Sequence, residues 1–311
     1  MTAIALVLVA ALLHAGWNIV AKKIGGGRHF VLIGALMIVL LWAPLGLTLL
    51  WREAPVWEWR EWAVLAVSAL VHLLYFNVLL AGYRAADLTV VYPVARGSGP
   101  LISSAAAVWL LDETLGAGGV VGVLAITGGV FLIAGGPQLW VQAHEPAQRA
   151  RVLAGLDWGA LTGLLIAGYT VIDGYAVKVM LISPILVDYL GNALRIPWLL
   201  PGALADRAGF LRDLRVQWKA ALVLAVFSPV AYVLVLYAVQ LAPLSHVAPA
   251  REVSMLFAAL LGGRLLGERD RGLRLVGAAS IACGVVALAS VFSNPGMSLK
   301  RACSDVVRRS S

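Results

Sequence analysis

Acid is what this sequence has least of. Sixteen Asp and Glu stand against 24 Lys and Arg, a formal charge of +8, and charged residues of both signs make up only 13 % of the 311. Soluble domains carry about 25 %, so a water-exposed globular fold is excluded. Cysteine is nearly absent too. Cys283 lies in an apolar run and Cys303 in the polar tail, which excludes a disulfide framework, and neither Cys nor His stands at metal-ligand spacing. There is no Asp-rich motif and no recognisable Ser/His/Asp set. An intramembrane enzyme such as a lipid-phosphate hydrolase or prenyltransferase needs clustered acids for Mg²⁺ or a nucleophile beside a base. No ATP-binding motif occurs, so primary active transport would need a partner chain. No basic run has a soluble domain to present it, which argues against nucleic acid as a partner. The expectation is no enzyme, no cofactor and no metal.

Apolar residues fill the space left by these absences: 61 % of the chain is hydrophobic and the mean hydropathy is +0.90. Runs of roughly 20 apolar residues recur along the chain, each long enough to cross a hydrocarbon core. Continuous rather than alternating apolarity selects helices over strands. Ten spans are expected, near 2–21, 30–51, 62–83, 88–111, 117–136, 155–178, 184–205, 218–241, 244–266 and 272–292. The first span has no charge before it, and Lys22-Lys23 follow it, so it reads as a retained span and not a removable signal. The expected divisions are a first five-helix unit at 1–136, a loop at 137–154, a second unit at 155–292 and a polar tail at 293–311.

Shifted by 155 residues, the second half falls on the first without a gap. Lys23 meets Lys178, Ala95-Arg96 meets Ala250-Arg251, Leu110-Leu111 meets Leu265-Leu266, and Glu113 meets Glu268. Val121-Gly122 meets Val276-Gly277, Ile126 meets Ile281, Gly129-Val130 meets Gly284-Val285, and Ala134 meets Ala289. A duplicated unit with an odd number of spans must invert. The expected fold is an all-α polytopic membrane protein, ten transmembrane helices as two inverted five-helix repeats. Such repeats go with alternating access around a midplane site.

The charges inside the spans mark that site. Arg96 lies eight residues into span 4, roughly 12 Å deep at the helical rise, and a charge at that depth usually faces a cavity. Arg251 in span 9 is equivalent. Inversion would put the two arginines on opposite sides of the midplane, one for each access state. By depth, Asn18 belongs with Arg96 and Asp173 with Arg251. Asp173 is therefore expected to neutralise Arg251 and leave Arg96 free for an anionic group; the alternative is two arginines that hold helices through carbonyls. Pro93, Gly97, Gly99 and Pro100 around Arg96 and Pro249 beside Arg251 read equally as irregular cavity-lining backbone or as ordinary kinks. Glu252 reads as an interhelix bond ahead of a proton-coupling acid. His246 and the Asp112-Glu113 doublet read as solvated.

Polar and aromatic stripes add candidates. His14, Trp17 and Asn18 share a face of span 1, and His72, Tyr75, Phe76 and Tyr83 line span 3. Tyr169 and Asp173 share a face of span 6, Asp188, Asn192 and Arg195 lie on span 7, and Tyr232 and Tyr237 on span 8. With Tyr92 beside Arg96, they outline a semi-polar cavity for a small amphipathic solute. Gly118, Gly122, Ala125 and Gly129 in span 5, and Gly277, Ser280 and Gly284 in span 10, suit close helix contacts, within the chain or in a homodimer. Trp51, Trp57, Trp59 and Trp62 form an aromatic belt at one interface.

Three segments carry a family resemblance: LLHAGWNIVAKK in span 1, YPVARGSGPLISSAAAVWLLDETL in span 4 and APAREVSMLFAALLGGRLLGERD in span 9. They resemble the EamA-type branch of the drug/metabolite transporter superfamily, over about residues 1–292. The resemblance implies spans 1–4 and 6–9 around the cavity and proton- or exchange-coupled movement of small metabolites, often amino acids outward. Four-helix multidrug relatives carry a membrane-embedded glutamate in span 1; this chain has His14 there and no acid in the span. That departure, with three buried arginines, favours carboxylate-bearing cargo over cationic drugs or lipid-linked compounds. The resemblance also implies a bacterial-type inner membrane with cytoplasmic termini. The basic residues point the other way. Seven lie on the terminal side and fourteen on the opposite side, and the positive-inside rule would put both termini outside.

Overall fold

The computed structural model describes residues 2–24, 29–133, 146–257 and 271–292. Among them every regular element is helical: α1 (Thr2–Ile24), α2 (Phe30–Glu53), α3 (Trp59–Ala85), α4 (Leu88–Leu110), α5 (Ala117–Ile133), α6 (Pro146–Lys178), α7 (Pro184–Ala205), α8 (Arg207–Leu241), α9 (Leu244–Ala250) and α10 (Arg271–Phe292). A 3₁₀ turn, Ala54–Val56, extends α2, and helical backbone resumes at 253–257 after α9. Four stretches are each long and apolar enough to cross a membrane, namely Phe30–Val56, Trp59–Ala85, Gln148–Lys178 and Arg207–Leu241. The polar tail, Glu268 and the first part of the inter-repeat loop lie outside the described residues, as does the later part of the expected ninth span.

Two helices start earlier than apolarity alone foretells. α6 begins at Pro146, where proline suits the first helical turn, and not near 155. Its added turns keep residues 148–151 exposed and bury Val152 against the bundle. α8 begins at Arg207 and not near 218, because the Asp206 side chain accepts from the Gly209 N–H at 3.0 Å and caps it. Its first turns carry the basic residues that were expected in a loop.

The packing repeats across the two halves. α1 lies along α8 as α6 lies along α3, and α5 and α10 form an extensive pair. In that pair a methyl on Gly129 would stand 2.6 Å from Gly277 O, and one on Gly277 would stand 2.7 Å from Gly129 O. Gly122 and Gly284 repeat the arrangement at 2.9 and 2.7 Å. An early residue of α5 thus meets a late one of α10, so the helices are antiparallel and the contact maps onto itself under the 155-residue shift. Ser280 Oγ adds a bond to Ala125 O at 2.7 Å. These small faces are covered within one chain, which leaves the outer faces, with Val121 and Val286 exposed, for any partner. A second glycine ladder, Gly155, Gly159 and Gly163 on α6, seats α4: methyls at Gly155 and Gly159 would come 2.8 and 2.7 Å from Val90 and Val94. Its spacing of four is legible in the sequence, yet it was not among the expected contacts.

α4 is continuous through Pro93 and Pro100, so of the two readings held for these prolines the irregular backbone is the one that does not hold there. The break lies in the second half, where α9 stops at Ala250 and Arg251-Glu252 form a turn. Pro249 cannot donate to the carbonyl four residues back. That carbonyl, Ser245 O, accepts from Ser104 Oγ on α4 at 2.9 Å instead.

Glu113 is not solvated, in contrast to the expectation for its doublet. Asp112 turns the chain with φ 51°, and the Glu113 side chain is 7 % exposed. It takes Lys178 Nζ at 2.7 Å and the N–H groups of Leu244 and Ser245 at 2.7 and 2.8 Å. It thereby ties the α4–α5 turn to α6 and to the start of α9. Burial alone would raise this carboxyl; the Lys178 bond and the two backbone bonds outweigh it and hold the group below its usual 4.5. A depressed carboxylate stabilises the fold above its unfolded value, and that contribution is lost as the pH falls below it. Glu113→Gln should therefore lose about 1 kcal/mol at neutral pH. The gap in thermal unfolding between variant and wild type should close as the pH drops below 4.5. A gap that persists in acid would contradict this account. His246 was also expected in solvent; it is 1 % exposed, packed under Gly119 with Nδ1 3.2 Å from Ser245 Oγ.

Candidate functional site

Where α4 and α9 cross α6, the buried charges gather into two poles. The cationic pole is Arg96 on α4 and Arg251 in the turn after α9, with side chains 13 % and 12 % exposed. Glu252, 1 % exposed, lies between them. Arg96 Nη2 is 2.8 Å from Glu252 Oε2, and Arg251 Nε is 3.6 Å from Oε1, beyond hydrogen-bonding distance. Arg96 Nη2 also reaches Ser254 Oγ, and Arg251 Nη2 reaches Thr170 Oγ1, each at 3.3 Å. Two guanidinium groups against one carboxylate leave a net positive charge.

The anionic pole is Asp173 on α6, 1 % exposed. It accepts from Ser68 Oγ on α3 and from Tyr232 OH on α8, and His72 Nε2 stands 3.9 Å away. His72 Nδ1 donates to Ser68 O at 3.0 Å. Its ring stacks on Tyr169 with centroids 3.9 Å apart, and Tyr75 meets Tyr169 edge-on at 5.6 Å. Thr170 and Asp173 are three apart on one face of α6, so the two poles lie about one helical turn from each other.

Three expectations fail here. Asp173 does not neutralise Arg251, Arg96 is not uncompensated, and the arginines are not held apart for separate access states. The cause is geometric. On the expected inversion each would lie roughly 12 Å from opposite faces of a core about 30 Å thick, which leaves only a few ångströms between the guanidinium groups along the normal. Glu252 spans that gap because the α9 helix ends before it. In a continuous helix, adjacent residues would diverge. The reading of Glu252 as an interhelix bond holds. The expected cavity is nearly filled: the space between Thr170, Tyr232, Val247 and Arg251 is about 10 Å³, room for one water at most. A wider recess of about 430 Å³ between α3, α4 and α6 has Val67, Ile172 and Tyr175 in its wall and contains none of the charged groups.

The remaining candidates divide. His14 on α1 is within electrostatic reach of both Arg96 and Arg251. Trp17, edge-on to it at 5.1 Å, has a buried Nε1 without an acceptor among the described residues. Tyr92 and Tyr75 flank Arg96. Phe76 is half-buried with no polar role. The Asn18 side chain lies outside the described set. Arg195 Nε is spent on Gly191 O at 2.7 Å, within electrostatic reach of Asp188 and Asp173. Ser68 and Thr170 were missed, although each extends a stripe already noticed, Ser68 one turn before His72 and Thr170 one turn before Asp173.

The comparisons with known proteins bear on the family and the fold. The sequence profile described as "EamA-like transporter family" matches twice, over residues 1–135 and 153–290. A solved structure titled "Crystal structure of protein" has the same fold with a TM-score of 0.65, 16 % identity, and coverage of 94 % of this chain and 98 % of that one. Among curated proteins nothing matches. With both halves matched, the chain belongs to the EamA-like transporter family, within the drug/metabolite transporter superfamily.

Proposed function

We propose that this transporter moves small zwitterionic or other carboxylate-bearing metabolites, amino acids foremost, outward by alternating access. Its ten helices would form two inverted five-helix repeats that rock about the central cluster, driven by a proton gradient or by exchange. The antiparallel α5–α10 contact, which maps onto itself under the repeat shift, supports the inversion. The observation that carries the cargo class is the pair of poles one helical turn apart. Arg96 and Arg251 with one glutamate offer positive charge, and Asp173 against His72, Tyr169 and Tyr232 offers negative charge in an aromatic wall. An α-carboxylate and an α-amine match that spacing, and a lone cation does not. The setting is a bacterial-type inner membrane with termini in the cytoplasm, and any homodimer through α5 and α10 would use their outer faces.

Counterflow in proteoliposomes tests the reading with leucine, phenylalanine, 4-methylpentanoate and tetraphenylphosphonium. Amino-acid uptake that Arg96→Gln abolishes is expected. Uptake of tetraphenylphosphonium alone, unchanged by Arg96→Gln, would replace this cargo class with cationic drugs and return Arg96 to a structural role.

A further inference from the structure

Glu252 is the charged member of the cationic pole that the duplication does not account for. Arg96 and Arg251 are repeat mates, whereas Glu252 falls on Gly97 and Ser254 on Gly99 under the 155-residue shift. One half therefore supplies a carboxylate to a place that both halves frame with arginine. Donors and acceptors around it are mismatched: both Glu252 carboxylate oxygens are buried without a hydrogen bond among the described residues. Oε2 pairs with Arg96 Nη2 at 2.8 Å as an ion pair, and Oε1 stays 3.6 Å from Arg251 Nε. Arg96 Nε, Arg251 Nε and Trp17 Nε1 are buried without a hydrogen-bond acceptor among the described residues. Orphaned donors cost free energy, and a second carboxylate would relieve them.

Its backbone, like that of Arg251, is not helical. Glu252 sits in the turn where α9 has ended and helix has not yet resumed. The bonds there are short-range: Glu252 N to Pro249 O at 2.9 Å, Ser254 N to Arg251 O at 3.1 Å and Met255 N to Glu252 O at 2.8 Å. A turn held by such bonds can reorient one side chain without unwinding a helix.

We infer that Glu252 stands in for the cargo carboxylate: it occupies Arg96 in the closed, cargo-free transporter, and arriving cargo displaces it onto Arg251. The exchange conserves charge. Arg96 passes from an internal to an external carboxylate, and Glu252 closes the gap to Arg251 Nε, so no buried charge is left unpaired. Glu252 is thus a competitor built into the site. It lowers apparent affinity by the fraction of molecules in which it holds Arg96, and it favours cargo whose carboxylate binds a guanidinium better than its own. The inference rests on the carboxylate reading of the preceding section.

Binding of tritiated leucine to the full-length chain in nanodiscs distinguishes the two. Glu252→Gln keeps the side-chain shape and removes the competitor, so affinity should rise about tenfold or more. Arg251→Gln removes the residue that receives Glu252 and should weaken binding by a similar factor. The double variant Arg251→Gln/Glu252→Gln should return at least to wild-type affinity. A merely structural ion pair would make all three variants weaker. If Glu252→Gln does not fold, as judged by thermal unfolding, the comparison of Arg251→Gln with the double variant still decides. Leucine binding that needs Arg96 but is unchanged or weakened by Glu252→Gln, or a double variant no tighter than Arg251→Gln, overturns the inference and leaves the cargo class standing. No binding to any form overturns both.

Discussion

Leucine in place of Gly129 should cost the folded chain about 3 kcal/mol or more and lower the thermal midpoint in detergent by about 5 °C or more. The new Cβ would stand 2.6 Å from Gly277 O, 2.7 Å from Ile281 Cγ1 and 2.9 Å from Ile281 N. Two of those atoms are backbone, and backbone in a helix cannot step aside as a flexible side chain can. Water does not drive helices together within a membrane; close van der Waals approach does much of that. Holding α5 and α10 apart therefore removes what joins them. Because the contact is reciprocal, Gly284→Leu should be as damaging: its Cβ would meet Gly122 O at 2.7 Å and Ile126 N at 3.1 Å. A Cβ on Gly128 would have nothing within 4 Å, so Gly128→Leu should be close to neutral. Equal midpoints for Gly128→Leu and Gly129→Leu would mean that this helix contact does not form.

Asp173→Asn should separate the two halves of cargo recognition. Ser68 and Tyr232 can keep hydrogen bonds to the amide, since a hydroxyl donates or accepts, so the fold should survive. The negative pole does not. Removing one charge of a desolvated pair costs about 2–3 kcal/mol, roughly a hundredfold in affinity. Leucine counterflow should therefore collapse, while 4-methylpentanoate, which lacks the amine, should be carried as well as before or better. The measurement is the ratio of the two uptake rates in each protein. Parallel loss of both would place Asp173 in the framework that holds α3, α6 and α8 together and not at the cargo amine.

Much of the fold was legible because its determinants are local or periodic. Apolar run length specifies a spanning helix, a shift register exposes a duplication, and small residues four apart mark a close helix contact. The α5–α10 contact, the buried arginines and the His72–Tyr169–Asp173–Tyr232 neighbourhood all follow from such patterns. Pairing inside the site did not. Depth along each helix placed Asp173 beside Arg251, but depth is one coordinate and says nothing of rotation about the helix axis. Neighbours on a continuous helix diverge, so the sequence does not bring Glu252 toward Arg251; the helix ends just before them. Glu113 looked like a solvated turn, since its partners Lys178, Leu244 and Ser245 are 65 to 132 residues away.

The sequence by itself determined that the chain is helical, membrane-embedded and duplicated, with an arginine at equivalent positions of the two repeats. Those properties depend on composition and on spacing along one strand of chain. Only the tertiary structure decided which carboxylate answers which arginine, that Arg96 and Arg251 share Glu252, and that Asp173 faces hydroxyls and an imidazole. Such pairings depend on helix rotation, on one proline-induced break and on side-chain reach across a few ångströms, and these are fixed only when all the helices pack.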